Sequence, residues 1–422
     1  MDRLTVLTSR QIRSFWAAWG GWALDGMDSF IYALVLLPAM RELLPASGIP
    51  ATAANTGFYG GLLFALFLFG WGVSFVWGPV ADHFGRVRTL SATILCYSVF
   101  TLLGAVATNI WELAAFRLLA GIGIGGEWTL GGILVAEEWP ESRRKQGAGW
   151  MHTGYYFGTF LAAALNYTVG AAYGWRAMFA VGGAPALLVA FIRYGVHEPE
   201  KWKRQGHKPR AWEAFTMLFS PEYRRRTILN AVYLLISMIG LWAGSVYVPS
   251  SVSSLAAARG FDTAAATRIA SFATMLLSFA TILGCLLVPV LADRIDRRTM
   301  LGFYFALMAV FIALGFGYFF YRPDGLYPFI GCLFFLGLGG ANFALYTLWL
   351  PEQYPTGCRA SAFAFATSSG RFVAAGVTFL VGAGIARYGS LGMPVAATSL
   401  AFLLGLVLLP WGEETKDKEL PS

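Results

Sequence analysis

Apolar runs of about twenty residues recur along this whole chain, each bounded by a short polar or basic stretch. At 1.5 Å per residue, a helix of that length matches the roughly 30 Å hydrocarbon core of a bilayer. Inside that layer a segment must satisfy its own backbone hydrogen bonds, so runs of this kind are read as helices. The pattern predicts twelve, over residues 15–39, 57–81, 90–108, 111–137, 147–172, 176–195, 227–251, 266–291, 299–320, 326–350, 360–386 and 393–411. Only 13% of the residues are charged and 57% are hydrophobic, where a soluble domain carries about 25% charged residues. A large core does not explain the deficit, because a soluble surface needs charge. The expected class is an all-α membrane protein with the lipid bilayer as its solvent. The first apolar run lacks a small-residue cleavage site and carries Asp25 and Asp28, so it reads as a retained span and not as a signal peptide.

The net charge of +8 would suggest nucleic acid in a soluble protein. Here the basic residues crowd into short loops, and orientation is the better reading. Arg3, Arg10, Arg13, Arg86, Arg88, Arg143, Arg144, Lys145, a basic central segment, Arg294, Arg297, Arg298, Arg359, Lys416 and Lys418 fall on one side. Arg41, Arg176, Arg259, Arg268, Arg322 and Arg387 fall on the other. Both termini are therefore expected in the cytoplasm, and the protein in the inner or plasma membrane. The four cysteines are scattered without metal-ligand spacing, and no disulfide framework, metal site or cofactor is expected.

A polar stretch divides the spans six and six. The expected organisation is an N-terminal bundle over 1–196, a linker over 197–226 and a C-terminal bundle over 227–422. The halves repeat. Asp82 to Arg86 after span two matches Asp293 to Arg297 after span eight. Gly125-Gly126-Glu127 matches Gly340-Ala341-Asn342 at nearly the same offset. A duplicated six-helix unit is a common construction of carriers that work by alternating access. Both halves of such a pore lie in one chain, so a monomer is expected.

Gly78-x-x-x-Asp82-x-x-Gly85-Arg86-x-Arg88 sits at a membrane exit. Asp82 is placed to pair with Arg or with helix-end N–H groups, and Gly85 permits a tight turn. An ordinary basic loop is the plainer reading; the repetition at Asp293 and Arg297 favours a clamp that forms in one state and breaks in the other. With Gly174-Trp175-Arg176 after span five and the six-plus-six layout, the chain resembles the major facilitator superfamily over essentially its whole length. The resemblance implies two pseudo-symmetric six-helix bundles, with spans one, four, seven and ten around a central cavity.

Several polar residues lie near mid-membrane, where an isolated charge is costly and marks a cavity or a partner. Asp25 and Asp28 share a face of span one, and two carboxylates in low dielectric suit the holding and release of a proton. Span four carries Arg117, closely spaced glycines, Glu127 and Trp128. The resemblance brings Asp25, Asp28, Arg117 and Glu127 into one neighbourhood, with Arg117 and Asp28 as an ion pair that a proton could break. Arg371 has no acid on its own span. It reads as a bidentate site for a carboxylate, or as the partner of an acid on another span. Asn342 and Tyr346 on span ten, Trp128, and Tyr155 and Tyr156 on span five are further candidate contacts, alongside Asn230, Tyr233, Trp242 and Trp349. His152 reads more readily as an interfacial histidine than as a cavity residue.

Asp25-Gly26-x-Asp28 with Gly125-Gly126-Glu127 resembles the sialate or monocarboxylate:proton and aromatic-acid:proton symporter branches. The expected function is symport of a small organic anion with a proton. The rivals are a carrier of a neutral or cationic solute, which Arg371 disfavours, and a membrane enzyme, for which no convergent nucleophile and base or metal cluster stands out.

Overall fold

The computed structural model describes residues 7–77, 80, 86–139, 144–183, 216–355 and 358–416. Helix occupies every predicted span among them. Span one is Ser9–Ala46, capped by a Thr8–Gln11 box in which each side chain meets the other's backbone N–H. Span two is Ala53–Val73, span three Arg86–Gly104, span four Ile110–Glu138 and span five Arg144–Leu165. Spans eight, nine and eleven are Thr263–Arg294, Arg297–Ile312 and Arg359–Tyr388. Asp262 and Asp296 cap the first two of these, and left-handed Gly389 (φ 64°) ends the third. Eight of the described helices are long and apolar enough to cross a membrane.

Several spans are interrupted or end in irregular turns. Span five passes through a π-helical turn at Asn166–Gly170, then turns at Gly174 (φ 81°) into span six, whose described helix is Ala171–Gly182. Span seven is Arg224–Met238 and Val248–Ala258 joined by a π-helical stretch at Ile239–Ser245. Span ten is Leu326–Gly340 and Asn342–Trp349, with the break at Ala341 beside two glycines. Span twelve is Gly392–Ala396 followed by Ser399–Leu408.

The two sets of six meet along two seams. Spans two and eleven pack at backbone distance: a Cβ on Gly61 would stand 2.8 Å from the Gly382 Cα. Spans five and eight pack on each other along the second seam, with Asn166 donating to the Ser271 hydroxyl at 3.0 Å. Outward faces are apolar. Phe272, Phe279 and Leu286 form an exposed stripe seven residues apart on span eight, and Leu400, Leu403, Leu404 and Val407 one on span twelve. Lipid stabilises such faces, and water would not.

Candidate transport site

Asp25 and Asp28 are both fully buried on span one. Gly26 lies between them for a steric reason. A Cβ there would fall on the Tyr155 carbonyl oxygen of span five, and one on Gly158 would fall on the Ala23 carbonyl oxygen. The two helix backbones therefore touch, which fixes Asp25 beside Tyr155.

The two carboxylates meet different partners. Asp28 stands 3.8 Å from the Arg117 guanidinium, with both side chains essentially inaccessible, and Thr101 adjoins it. The same guanidinium lies 4.2 Å above the Phe67 ring and 5.4 Å above that of Tyr32. Asp25 instead acts electrostatically on Tyr155 and on Arg371 of span eleven. Arg371 is 5% exposed and stacks 4.5 Å above the Trp71 ring.

Arg371 opens onto a small cavity between the halves. Trp22, His152 and Tyr155 wall it from the first half, and Trp242, Met238 and Phe343 from the second. The rings brace one another, Trp22 against Tyr155 at 4.9 Å and Trp71 against Trp242 at 5.5 Å. Tyr156, Leu241 and Phe343 also border a second small compartment. There the Tyr156 hydroxyl crosses between the halves and donates to the Gly340 carbonyl at 3.1 Å, at the break in span ten.

The structure brings Arg371, Tyr155 and Tyr156 to one cavity and Asn342 to the compartment beside it, while Asp25 lies off the cavity wall and acts on Arg371 and Tyr155. Asp28 and Arg117 pair just behind. Tyr346 is fully buried and shares a 3.0 Å hydrogen bond with Ser237. Glu127 and Trp128 lie on the span-four helix, Arg86 opens span three and Asp293 lies near the end of span eight; the placement of these four side chains is outside the description. Gly78, Asp82 and Gly85 lie outside the described residues, and Arg88 is exposed on span three.

Three expectations are corrected. His152 faces inward: it is 5% exposed and lines the cavity beside Trp22 and Tyr156. Asn230 and Tyr233 are structural. Asn230 donates to Gln353 at 2.9 Å and to Tyr354 at 3.2 Å, while Tyr233 donates to the Leu408 carbonyl. Trp349 stacks on Tyr233 and donates to the Glu413 carbonyl. Trp22, Trp71 and Phe343 were missed. Trp22 stands three residues before Asp25, a same-face spacing that could have found it.

The second gating copy is more than a loop. Arg297 forks onto Glu352 through two 3.1 Å bonds and also donates to the Ala292 carbonyl. Thr415 donates to Glu352 at 2.5 Å, and Glu414 accepts from the backbone N–H groups of Arg297 and Arg298. These contacts tie the start of span nine to the end of span ten and to the chain beyond span twelve.

Two helical sets around a cavity that carries a buried arginine define a secondary transporter of the alternating-access kind. The chain belongs to the Major Facilitator Superfamily, whose profile matches residues 18–284. It is a multi-pass membrane transporter and not an enzyme. It is 29% identical to a probable 4-methylmuconolactone transporter of Cupriavidus pinatubonensis, covering 95% of this chain and 91% of that protein. It is 28% identical to the 4-hydroxybenzoate transporter PcaK of Acinetobacter baylyi, covering 70% and 69%. Its fold matches the xylose transporter XylE from E. coli in a partially occluded inward open conformation, with TM-score 0.78, 17% identity, and coverage of 98% of this chain and all of that one.

Proposed function

We propose that this protein carries a small organic carboxylate together with a proton by alternating access. The observation that supports the reading is a buried Arg371 that opens onto a cavity from the second half, with buried Asp25 of the first half acting on it electrostatically. An ionised Asp25 serves as the counter-charge of Arg371. A substrate carboxylate that binds Arg371 displaces that role and would leave Asp25 as an uncompensated buried anion. Such a charge costs several kcal/mol unless it is neutralised. A proton on Asp25 removes the conflict, so substrate and proton are stable together and unstable singly. Asp28 with Arg117 forms a second pair that protonation can release, and Glu127 is a further candidate. Relatives named for 4-methylmuconolactone and 4-hydroxybenzoate support an acid as cargo.

The halves, 1–196 and 227–422 joined through 197–226, rock about this site as a monomer in the inner membrane with both termini cytoplasmic. Asp82 with Arg86 and Arg88, and Asp293 with Arg297, serve as the clamps on the cytoplasmic side. The test is uptake by purified protein in liposomes of radiolabelled acids, with and without an inward proton gradient. Gradient-driven uptake of an acid, lost in Arg371→Ala, supports the reading. Uptake of a sugar or an organic cation with no acid carried would overturn the substrate class and leave the fold untouched.

A further inference from the structure

A proton on Asp25 lets an acid bind Arg371, and that proton must leave when the acid does. Asp25 has no exposed surface and lies off the cavity wall, so its proton departs by way of the cavity. Among the described residues, the side chains on that wall that can bind or give up a proton are Arg371, Tyr155, Tyr156 and His152. A guanidinium keeps its proton at any cellular pH, and a phenol ionises only near pH ~10. Imidazole alone of these exchanges protons in the range in which a cell works.

Two neighbouring helices put His152 where such a group is needed. Spans one and five both start on the cytoplasmic side in the orientation proposed above. Trp22 precedes Asp25 by three residues, and His152 precedes Tyr155 by three. At 1.5 Å per residue each step is about 4.5 Å toward that side. The two helices are locked in register by glycine: a Cβ on Gly154 would stand 2.9 Å from the Trp19 carbonyl oxygen, and one on Gly26 would fall on that of Tyr155. Trp22 accordingly meets Tyr155 at 4.9 Å and His152 at 6.3 Å. Asp25 acts electrostatically on Tyr155. The order toward the cytoplasm is therefore Asp25, Tyr155, His152. Arg371 shares the cavity, Cys285 of span eight lies beyond Tyr156, and spans seven and ten give this wall apolar and aromatic side chains.

We propose that His152 hands the Asp25 proton to the cytoplasm, with the Tyr155 hydroxyl between them. The Asp25 O–H bond breaks as the Tyr155 oxygen takes that proton. Tyr155 gives its own hydroxyl proton to the lone-pair nitrogen of the imidazole. The imidazole releases the proton from its other nitrogen to water on the cytoplasmic side, and Asp25 is left as the carboxylate that compensates Arg371. A neutral imidazole accepts at one nitrogen and donates at the other, so the proton passes without a second cation standing beside Arg371. The inference rests on the proton-coupled reading of Asp25.

The experiment compares two modes of transport by the full chain in proteoliposomes, with radiolabelled benzoate and 4-hydroxybenzoate as the probes. Net uptake driven by a proton gradient requires release of the proton inside. Exchange of labelled for unlabelled acid at equal pH does not, because the loaded carrier returns with its proton. His152→Gln keeps a hydrogen-bonding side chain of similar size without a titrating group. It is expected to lower the ratio of net uptake to exchange by about tenfold or more. In His152→Ala, added imidazole is expected to restore part of the net uptake, and pyrazole, of the same shape but a far weaker base, is not. Should His152→Ala fail to fold, Tyr155→Phe interrupts the same route and is expected to lower the same ratio. A wild-type ratio in His152→Gln, an equal loss of both modes, or rescue by pyrazole as good as that by imidazole overturns the inference and leaves the acid symporter intact. A wild type that exchanges these acids without any response to a proton gradient, or that carries neither acid, overturns both readings.

Discussion

Asp28 and Arg117 face each other at 3.8 Å across spans one and four, with both side chains inaccessible to water. That separation is too long for a strong charge-assisted hydrogen bond, so the pair is held by charge and by the Phe67 and Tyr32 rings around the guanidinium. Removing one member strands the other, which for buried pairs costs about 3 kcal/mol or more. Arg117→Gln is expected to lower thermal stability in detergent markedly. The double variant Asp28→Asn with Arg117→Gln is expected to recover much of the loss. Additive losses in the double variant would mean that the two residues do not act as a pair.

Arg371 stacks on Trp71 and acts on Asp25, and these two contacts make different demands. Lysine keeps the charge but loses the flat face and the fork. Arg371→Lys is expected to reduce acid uptake by about tenfold or more. Asp25→Asn supplies a permanently neutral partner, so it is expected to abolish acceleration by a proton gradient while exchange of labelled for unlabelled acid persists. Proton-driven uptake by Asp25→Asn at the wild-type rate would move the coupling role to Asp28 or Glu127.

The twelve spans and the twofold repeat were legible because membrane helices obey one strong rule, length and apolarity, repeated at a fixed interval. The rarity of charge in lipid equally exposed Asp25, Asp28, Arg117 and Arg371. The pairing was not legible. One helical turn separates Asp25 from Asp28, yet Arg371 of span eleven feels one and Arg117 of span four pairs with the other, and such long-range partnerships leave no local mark. The inward turn of His152 leaves no such mark, because position along a helix does not say which face meets the cavity. The break in span ten was hidden for another reason: Gly339-Gly340 alone suits either a close helix contact or an interruption.

Gly26 has its meaning only in three dimensions. Its missing Cβ admits the Tyr155 carbonyl, and both neighbours of that contact belong to the site. Gly26→Ala adds one methyl group where the obstacle is backbone, which side-chain rotation cannot relieve. Separation of spans one and five is expected, with loss of uptake and a fall in stability typical of overpacking, about 1–3 kcal/mol. Ala23→Gly, which adds nothing to the seam, is expected to be mild by comparison. Wild-type uptake and melting temperature in Gly26→Ala would remove the close approach from the account.

The start of span nine offers a test outside the membrane. Asp296 caps it by accepting from the Thr299 N–H at 3.2 Å. The bond to Thr299, opposed by partial burial, holds this carboxyl below the usual range. A carboxyl whose folded value is depressed stabilises the fold above its unfolded value, and the contribution disappears as pH falls through the folded one. The side chain is partly exposed, so the effect is screened, and losing the cap costs about 1 kcal/mol. Asp296→Ala is therefore expected to melt below the wild type near neutral pH, with the gap closing as the medium is acidified through the carboxylate range. Asp296→Asn keeps a cap without a titrating group, so it is expected to stay near the wild type at neutral pH and above it in acid. A gap between wild type and Asp296→Ala that is the same at both extremes would assign the loss to packing at the end of span nine and not to the ionised cap.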